Sequence, residues 1–142
     1  MKVYLTSDLA GLELKNYIKD HIQDQFDVTD LTEQGAEDFV DAAVKMVEAL
    51  DYGKSEDLGI AFDAYGVGSF IAANKHQGMI VAEVSDERSA YMTRQHNNTK
   101  LITLGQEIVG KGLALKIVNE FLNADYDGGR HQVRVDMLNE MC

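Results

Sequence analysis

Proline and tryptophan are absent from the sequence, and its single cysteine is the last residue, Cys142. One thiol cannot form an internal disulfide, which is typical of proteins in a reducing cytoplasm. No apolar run approaches the ~20 residues that a membrane-spanning helix needs, and the N-terminus has no small-residue site of the kind that ends a signal peptide. We therefore expect a cytoplasmic protein without a membrane segment.

Basic residues are scarce, with 13 Lys and Arg against 24 Asp and Glu and a formal net charge of −11. The imbalance lies in residues 1–71, which carry 15 acidic and 5 basic side chains, whereas residues 72–142 carry 9 and 8. Binding to nucleic acid requires clustered Lys and Arg, so the composition argues against such a partner. A small phosphate ligand is still compatible with the second half if its cations gather at one place.

The apolar pattern alternates between strand and helix along the whole chain. Short β-branched and aromatic runs predict strands at 3–6, 26–31, 58–62, 79–82 and 101–104. Helical spacing predicts helices over about 11–24, 39–50, 70–73, 86–95, 109–122 and 130–141. This alternation predicts a single α/β domain, 1–142, in which helices cover both faces of a parallel sheet. Ligands of such sheets bind beyond the carboxyl ends of the strands.

A glycine-bearing turn, residues 63–69, follows the third predicted strand and opens a helix. Glycines there allow backbone N–H groups to approach an anion at the helix N-terminus. The same glycines can be simple conformational joints, and both interpretations stay open at this point. The full dinucleotide-binding fingerprint is absent, because Ile71 stands where its third glycine would be.

A possible general acid or base lies between the fourth predicted helix and the fifth strand, in the run His96-Asn97-Asn98. Histidine titrates near neutral pH and therefore suits proton transfer. The alternative is structural, because a histidine followed by two asparagines also suits a helix C-terminus and a turn.

A possible phosphate site follows the pair Gly128-Gly129. Arg130 and Arg134 are four residues apart, so they lie on one face if this segment is helical. Two guanidinium groups on one face suit a phosphate, because each can donate two hydrogen bonds to its oxygens. The alternative is a solvated face on which Arg134 pairs with Asp136.

Asp8 ends the first predicted strand, a usual ligand position, although it also suits a cap of the following helix. The four histidines, at positions 21, 76, 96 and 131, show no paired ligand spacing. We therefore predict no metal site.

Four blocks of the sequence together resemble the RpiB/LacA/LacB family of sugar-phosphate isomerases. The blocks are Ser7-Asp8-Leu9-Ala10-Gly11 with Leu14-Lys15, Gly66-Val67-Gly68 through Ala72-Ala73-Asn74-Lys75, Arg94-Gln95-His96-Asn97-Asn98, and Gly129-Arg130-His131-Gln132-Val133-Arg134-Val135-Asp136. They occur in the family's order over nearly the whole chain. The resemblance implies a Rossmann-like three-layer α/β sandwich with a five-stranded parallel sheet and an extra C-terminal helix.

The sequence departs from the family pattern in one half of the active site. The family has a histidine where Leu9 stands, its proton-abstracting cysteine where Asp63 stands, and a threonine where Tyr65 stands. Asp8, Asp63 and Tyr65 would therefore form a degraded half-site.

The other half of the family's active site is retained in the sequence. By resemblance, His96 is the catalytic residue that opens the sugar ring, and Asn97, Arg130 and Arg134 bind the substrate. Active sites of this family lie between two subunits, so the resemblance implies a hetero-oligomer in which a LacB-type partner supplies the missing cysteine. The implied reaction interconverts D-galactose 6-phosphate and D-tagatose 6-phosphate without cofactor or metal.

Three other interpretations stay open. The chain can be a self-sufficient isomerase of the ribose-5-phosphate type with Asp63 as its base, or a non-catalytic structural subunit of a complex. It can also be a flavin-binding or phospho-acceptor domain. The phospho-acceptor class is disfavoured, because Gly105-Gln106-Glu107 follows the fifth strand where a lysine is expected.

Overall fold

The structure, a computed structural model, describes residues 1–141 and contains one sheet between two layers of helices. The strands are β1 (Lys2–Ser7), β2 (Asp27–Asp30), β3 (Leu58–Asp63), β4 (Val81–Glu83) and β5 (Leu101–Gly105). The helices are α1 (Leu12–Ile22), α2 (Phe39–Ala49), α3 (Val67–Asn74), α4 (Glu87–Asn97), α5 (Lys111–Asn123) and α6 (Gln132–Glu140). Short 3₁₀ turns lie at Asp51–Gly53 and Gly129–His131.

The five strands are all parallel and lie in the order β2-β1-β3-β5-β4. The predicted α/β class, five-stranded parallel sheet and extra C-terminal helix are therefore confirmed. The chain moves outward from β1 to β2 and then returns to place β3 on the other side of β1. Such a switch point opens a crevice at the carboxyl ends of the two strands, and Asp8 and Asp63 lie there.

Two apolar clusters hold the helices against the sheet. On one face, residues of α1 and α5 such as Ile18, Val118 and Phe121 are fully buried. On the other face, Met46 of α2 and Ala73 of α3 are fully buried. Burying an aliphatic or aromatic side chain stabilises a fold by about 1.5–3 kcal/mol, so these two layers fix the strand ends from which the polar loops extend.

A buried lysine holds the loop that follows β2 against the carboxyl end of β1. The Lys15 side chain is fully buried, and its Nζ lies 2.9 Å from Asp30 Oδ2 and also donates to the Thr32 carbonyl. The Thr32 hydroxyl in turn accepts the backbone N–H of Ser7 at 2.9 Å. Loss of one partner from a buried ion pair typically costs about 3–5 kcal/mol, so Lys15 holds the loop that flanks Asp8.

Element boundaries differ from the prediction at two places that matter. Helix α4 runs to Asn97, two residues beyond the predicted end, because Asn98 adopts the left-handed conformation (φ 53°) and stops it there. The C-terminal helix α6 begins at Gln132, after the 3₁₀ turn that contains Arg130. Among residues 1–141, none of the helices combines the length and the apolar character needed to cross a membrane.

Candidate active site

The C-terminus of α4 presents His96 and Asn97 as its last two residues. The hydroxyl of Thr93, one turn earlier, donates to Asn97 Oδ1 at 3.1 Å. Thr93 and Thr99 lie 2.7 Å apart through their hydroxyl oxygens. Because the Thr93 proton goes to Asn97, Thr99 is the donor of this second bond. These bonds orient the Asn97 carboxamide at the surface.

Arg94 holds the turn that follows α4. Its guanidinium donates to Asn98 Oδ1 at 2.7 Å and to the Thr99 carbonyl at 3.2 Å. Burial lowers the pKa of Arg94, and the charge of Asp125 acts in the opposite direction. Sequence reasoning placed Arg94 in a family block but gave it no role. The structure shows that it fixes the backbone directly after His96 and Asn97.

A backbone hydrogen bond brings the arginine-bearing segment to α4. The N–H of Asp127 donates to the Gln95 carbonyl at 3.0 Å. Gly128 and Gly129 then adopt positive φ of 65° and 55°, a region that favours glycine, and the chain turns into the 3₁₀ segment that carries Arg130. Two distant parts of the sequence are therefore joined where the candidate residues lie.

His96 and His131 stack on each other, with ring centroids 4.2 Å apart and planes inclined by 14°. Partial desolvation lowers the pKa of His131, and the charges of His96, Arg130 and Arg134 lower it further against the opposing effect of Asp127. The His131 ring is therefore predominantly neutral near pH 7. No role was predicted for His131, and its position in the block with Arg130 was the available signal.

Both arginines of the predicted phosphate site are exposed to solvent. Within residues 1–141, neither Arg130 nor Arg134 forms an ion pair or a side-chain hydrogen bond. The alternative pair of Arg134 with Asp136 is not formed, and Asp136 accepts instead from Gln132 Nε2 at 2.7 Å. These two guanidinium groups are available to an anion. Their positive charges also contribute to the lowered pKa of the His131 ring, which lies beside His96.

Three potential metal ligands meet beside this stack, although the sequence spacing gave no reason to expect them. Ligand atoms of His96, Asp127 and His131 lie within 4.8 Å of one another. An imidazole binds a metal through a lone pair in the plane of its ring, about 2.0–2.1 Å from the ion. Because the two ring planes are nearly parallel, their lone pairs do not converge on one point. The absence of a metal site stays a prediction.

The other group of polar residues lies at the ends of β1 and β3. Asp63 is only 4% exposed, and its two carboxylate oxygens accept the N–H groups of Gly66 and, at 3.0 Å, Ser69. Asp8 accepts the N–H of Gly11 at 3.0 Å. Burial raises the pKa of Asp8, the charge of Asp63 raises it further, and the bond from Gly11 opposes both.

The turn after β3 directs Tyr65 outward. Gly66 has a φ of 79°, and a side chain at Gly105 would come within 2.4 Å of the Tyr65 backbone, so only glycine fits there. Tyr65 is 60% exposed and Leu9 is 68% exposed. Among residues 1–141, no hydrogen bond or ion pair links Asp8 or Asp63 to the group around His96. The structure therefore contains two separate polar groups.

Known proteins similar to this chain share its whole length. Residues 3–138 match the family described as Ribose/Galactose Isomerase. The chain is 58% identical over 144 residues to galactose-6-phosphate isomerase subunit LacA of Staphylococcus epidermidis, with all of both chains covered. It is 56% identical over 143 residues to subunit LacA of Streptococcus mutans, again with all of both chains covered.

Solved structures of similar proteins have the same fold. Ribose-5-phosphate isomerase B of Clostridium thermocellum is 37% identical, with a TM-score of 0.91 and coverage of 99% of this chain and 96% of that chain. Ribose-5-phosphate isomerase B of Mycoplasma genitalium, solved with bound ribulose-5-phosphate, is 36% identical, with a TM-score of 0.90 and coverage of 97% and 93%.

Proposed function

The chain belongs to the ribose/galactose isomerase family, and we propose that it is a subunit of a galactose-6-phosphate isomerase, in which it provides the groups that bind phosphate and open the sugar ring. Full-length identity of 56–58% to relatives named subunit LacA supports this reaction. One structural observation carries the role of this chain within it. Two exposed arginines without intramolecular partners among residues 1–141 lie in the segment joined to the end of α4, beside His96.

The phosphate of the substrate is bound by Arg130 and Arg134. Guanidinium–phosphate hydrogen bonds are charge-assisted and can be bidentate, so they fix both the position and the orientation of the sugar. The phosphate does not react, and its binding energy therefore serves to hold the reacting carbons in register. Asn97, whose carboxamide is oriented by Thr93, donates to a hydroxyl of the sugar.

His96 transfers a proton at the ring oxygen and opens the pyranose form of D-galactose 6-phosphate. Proton transfer by a positioned side chain contributes typically 10²–10⁴-fold to a rate. The open aldose then becomes D-tagatose 6-phosphate when a base moves a proton from C2 to C1 through an enediolate. This step leaves no net change in protons or electrons and requires no cofactor.

The base for that step is supplied by another chain. The only cysteine of this sequence is Cys142, and the carboxylate of Asp63 already accepts two backbone N–H groups. A LacB-type partner in a hetero-oligomer contributes a thiolate as base and the backbone N–H groups that stabilise the enediolate oxygen. The active site is then a cleft between the two subunits.

A self-sufficient ribose-5-phosphate isomerase with Asp63 as base is the main rival, and the 37% identity to a ribose-5-phosphate isomerase B favours it. Asp63 is only 4% exposed, so it would have to leave its buried position to reach a substrate carbon, and this movement would break its hydrogen bonds to both backbone N–H groups. Losing hydrogen bonds to a charged group costs roughly 1.5–3 kcal/mol each. This cost makes Asp63 a poor base.

Isomerase assays of this chain alone, of the LacB-type partner alone and of the co-expressed pair test the proposal. We expect turnover of galactose 6-phosphate by the pair and no turnover by either chain alone. Turnover of ribose 5-phosphate by this chain alone would establish the rival. A pair that keeps full turnover after His96→Gln would instead establish a non-catalytic structural role for this chain.

A further inference from the structure

The His96 ring lacks the kind of hydrogen bond that holds two other histidine rings of this chain. The Nδ1 atoms of His21 and His76 lie 2.8 Å and 3.1 Å from backbone carbonyls one helical turn earlier. Among residues 1–141, neither nitrogen of the His96 ring has a hydrogen-bond partner or an ion pair. Both nitrogens are therefore open to a substrate, but no bond to them sets the angle of the ring.

The ring of His131 lies flat against the His96 ring and restrains it. The ring centroids are 4.2 Å apart and the planes are inclined by 14°, and both residues are half-buried. Rotation of an imidazole about χ2 is otherwise broad, because this torsion joins an sp³ to an sp² carbon. A second aromatic face opposes tilting of the His96 plane. Because the contact is face to face, it leaves the edge that carries the two nitrogens uncovered.

The backbone around His131 is held firmly enough for its ring to act as a support. The His131 N–H donates to the Gly128 carbonyl at 3.0 Å, and the Asp127 N–H donates to the Gln95 carbonyl of α4 at 3.0 Å. One turn later in α6, Val135 is only 1% exposed. These contacts fix the start of α6 relative to the end of α4, and so they fix one ring relative to the other.

The charges around the stack suit a neutral supporting ring. Partial desolvation lowers the pKa of His131, and nearby positive charges lower it further against the opposing charge of Asp127. These positive charges belong to His96, Arg130 and Arg134. Among residues 1–141, no ion pair joins Asp127 to either ring, so its carboxylate does not orient them. A proton that arrives on His96 therefore faces an uncharged ring.

We propose that His131 is a positioning residue, whose ring face holds the His96 imidazole in the plane from which it transfers the proton that opens the sugar. The inference rests on the proposed function, because it concerns the same step. Proton transfer needs heavy atoms about 2.6–3.2 Å apart, and a misplacement of about 1 Å can lower a rate roughly 10²-fold. His131 acts through His96 and transfers no proton itself, so its aromatic face is required and its nitrogens are not.

Two substitutions of His131 in the co-expressed pair separate the ring face from the ring nitrogens. His131→Ala removes both, and kcat for galactose 6-phosphate should fall by roughly 10–100-fold. KM should stay within about twofold, because both arginines that bind phosphate are retained. His131→Phe keeps a flat aromatic ring without nitrogens, so its kcat should stay within about threefold of the parent value.

The matched control is His21→Ala, because His21 makes a comparable aromatic contact outside the site. Its ring centroid lies 4.1 Å from that of Tyr17 in α1, with the planes inclined by 33°. This variant should leave both kcat and KM unchanged. Thermal midpoints of all three variants give the folded fraction at the assay temperature, and kcat is compared per folded pair.

Nuclear magnetic resonance of the pair reports on the stack without any need for turnover. In a pair labelled with ¹³C-histidine, the ring resonances of His96 are identified by their loss in His96→Gln. A stacked aromatic ring shifts the ring protons of its neighbour upfield. The His96 protons should lose this shift in His131→Ala and keep it in His131→Phe.

Three results would overturn the inference. Full kcat in His131→Ala would show that His96 needs no support, and an equal loss in His131→Phe and His131→Ala would show that a nitrogen of His131 takes part in the reaction. His96 resonances that are the same in the parent and in His131→Ala would show that the rings are not stacked in the pair. Failure of the proposed function appears differently, as absence of turnover by the unmodified pair.

Discussion

The two polar groups of this chain lie at opposite edges of one sheet and use their charges in opposite ways. Asp63 is the last residue of β3, whereas His96 lies at the end of α4, where the chain returns to the start of β5. The group around His96 leaves Arg130 and Arg134 exposed and without an ion pair to residues 1–141. The group around Asp63 buries its carboxylate and pairs both oxygens with backbone donors of the same chain. The first arrangement is open to a ligand, whereas the second is complete by itself.

The comparison shows that the state of pairing, more than the residue type, separates a binding group from a structural one. A buried carboxylate with satisfied hydrogen bonds contributes to stability and gains little from an external ligand. Exposed cations contribute little to folding, since surface charges are worth about 0–1 kcal/mol. Substitutions in the two groups should therefore affect different quantities, turnover in one and stability in the other.

His96→Gln should have the largest effect on turnover. Glutamine keeps a hydrogen-bonding side chain but cannot transfer a proton, so kcat of the heteromeric pair should fall by about 10²–10⁴-fold with little change in KM. Steady-state kinetics on galactose 6-phosphate measures this. The control is His21→Gln, because His21 is an exposed histidine whose ring contacts the Tyr17 carbonyl far from the site. A loss that is equal in both variants would contradict a catalytic role.

Arg134→Gln should follow, with a loss of kcat/KM of roughly 10–100-fold. This range corresponds to one charge-assisted hydrogen bond of about 1.5–3 kcal/mol. The difference between the variant and the parent should be smaller at high salt, because salt screens the attraction between the substrate phosphate and the charges of either protein. Arg88→Gln is the control, because Arg88 lies on the exposed side of α4 over the Tyr91 ring. If Arg134→Gln binds substrate normally, the phosphate lies elsewhere.

Arg94→Gln should produce a smaller loss of kcat, roughly fivefold to tenfold. The substitution removes two hydrogen bonds of a charged donor, to Asn98 and Thr99, each worth about 1.5–3 kcal/mol to the folded state. Part of this loss appears in turnover, because the end of α4 is loosened. KM should change less than kcat, because the arginines that bind phosphate are untouched. Added guanidinium should recover part of the kcat loss in an Arg94→Ala variant. A purely structural role would lower stability without this recovery.

Asp8→Asn should have the smallest effect, and it should appear in stability. The folded-state pKa of Asp8 is raised, so its charged form is less stable in the folded chain than in the unfolded chain. At neutral pH the substitution should therefore stabilise the chain, by less than about 1 kcal/mol because Asp8 is partly solvated.

The stabilisation by Asp8→Asn should shrink as the pH falls through the raised pKa, where Asp8 itself becomes neutral. Urea denaturation at several pH values measures the difference between variant and parent. A destabilisation that is independent of pH would show that the hydrogen bond to Gly11 outweighs the charge.

The fold could be predicted because the apolar residues of its strands and helices recur at the spacing typical of each element. Strand and helix patterns alternate, and the pattern of α1 is clear from Ile18 and its neighbours. The sequence also identified His96 and Arg134 as candidates, since their spacing and family block are local features. These predictions depend on short-range regularities, which are visible in a single sequence.

What the sequence could not predict depends on contacts between distant segments. The stack of His96 on His131 requires the bond from Asp127 to Gln95, across 32 positions of the chain. The pairing of Asp63 depends on the left-handed turn at Gly66, which sets where two N–H groups point. Neither feature leaves a periodic signal.

The central claim is that cations of this chain and a thiolate of another chain share one cleft. Protection of the partner's thiol from alkylation by bound substrate tests this claim most directly. Peptide mass spectrometry of the pair distinguishes that thiol from Cys142. We predict that galactose 6-phosphate protects the partner's cysteine from iodoacetamide, and that Arg130→Gln combined with Arg134→Gln in this chain abolishes the protection. Protection that survives the double substitution would contradict the account.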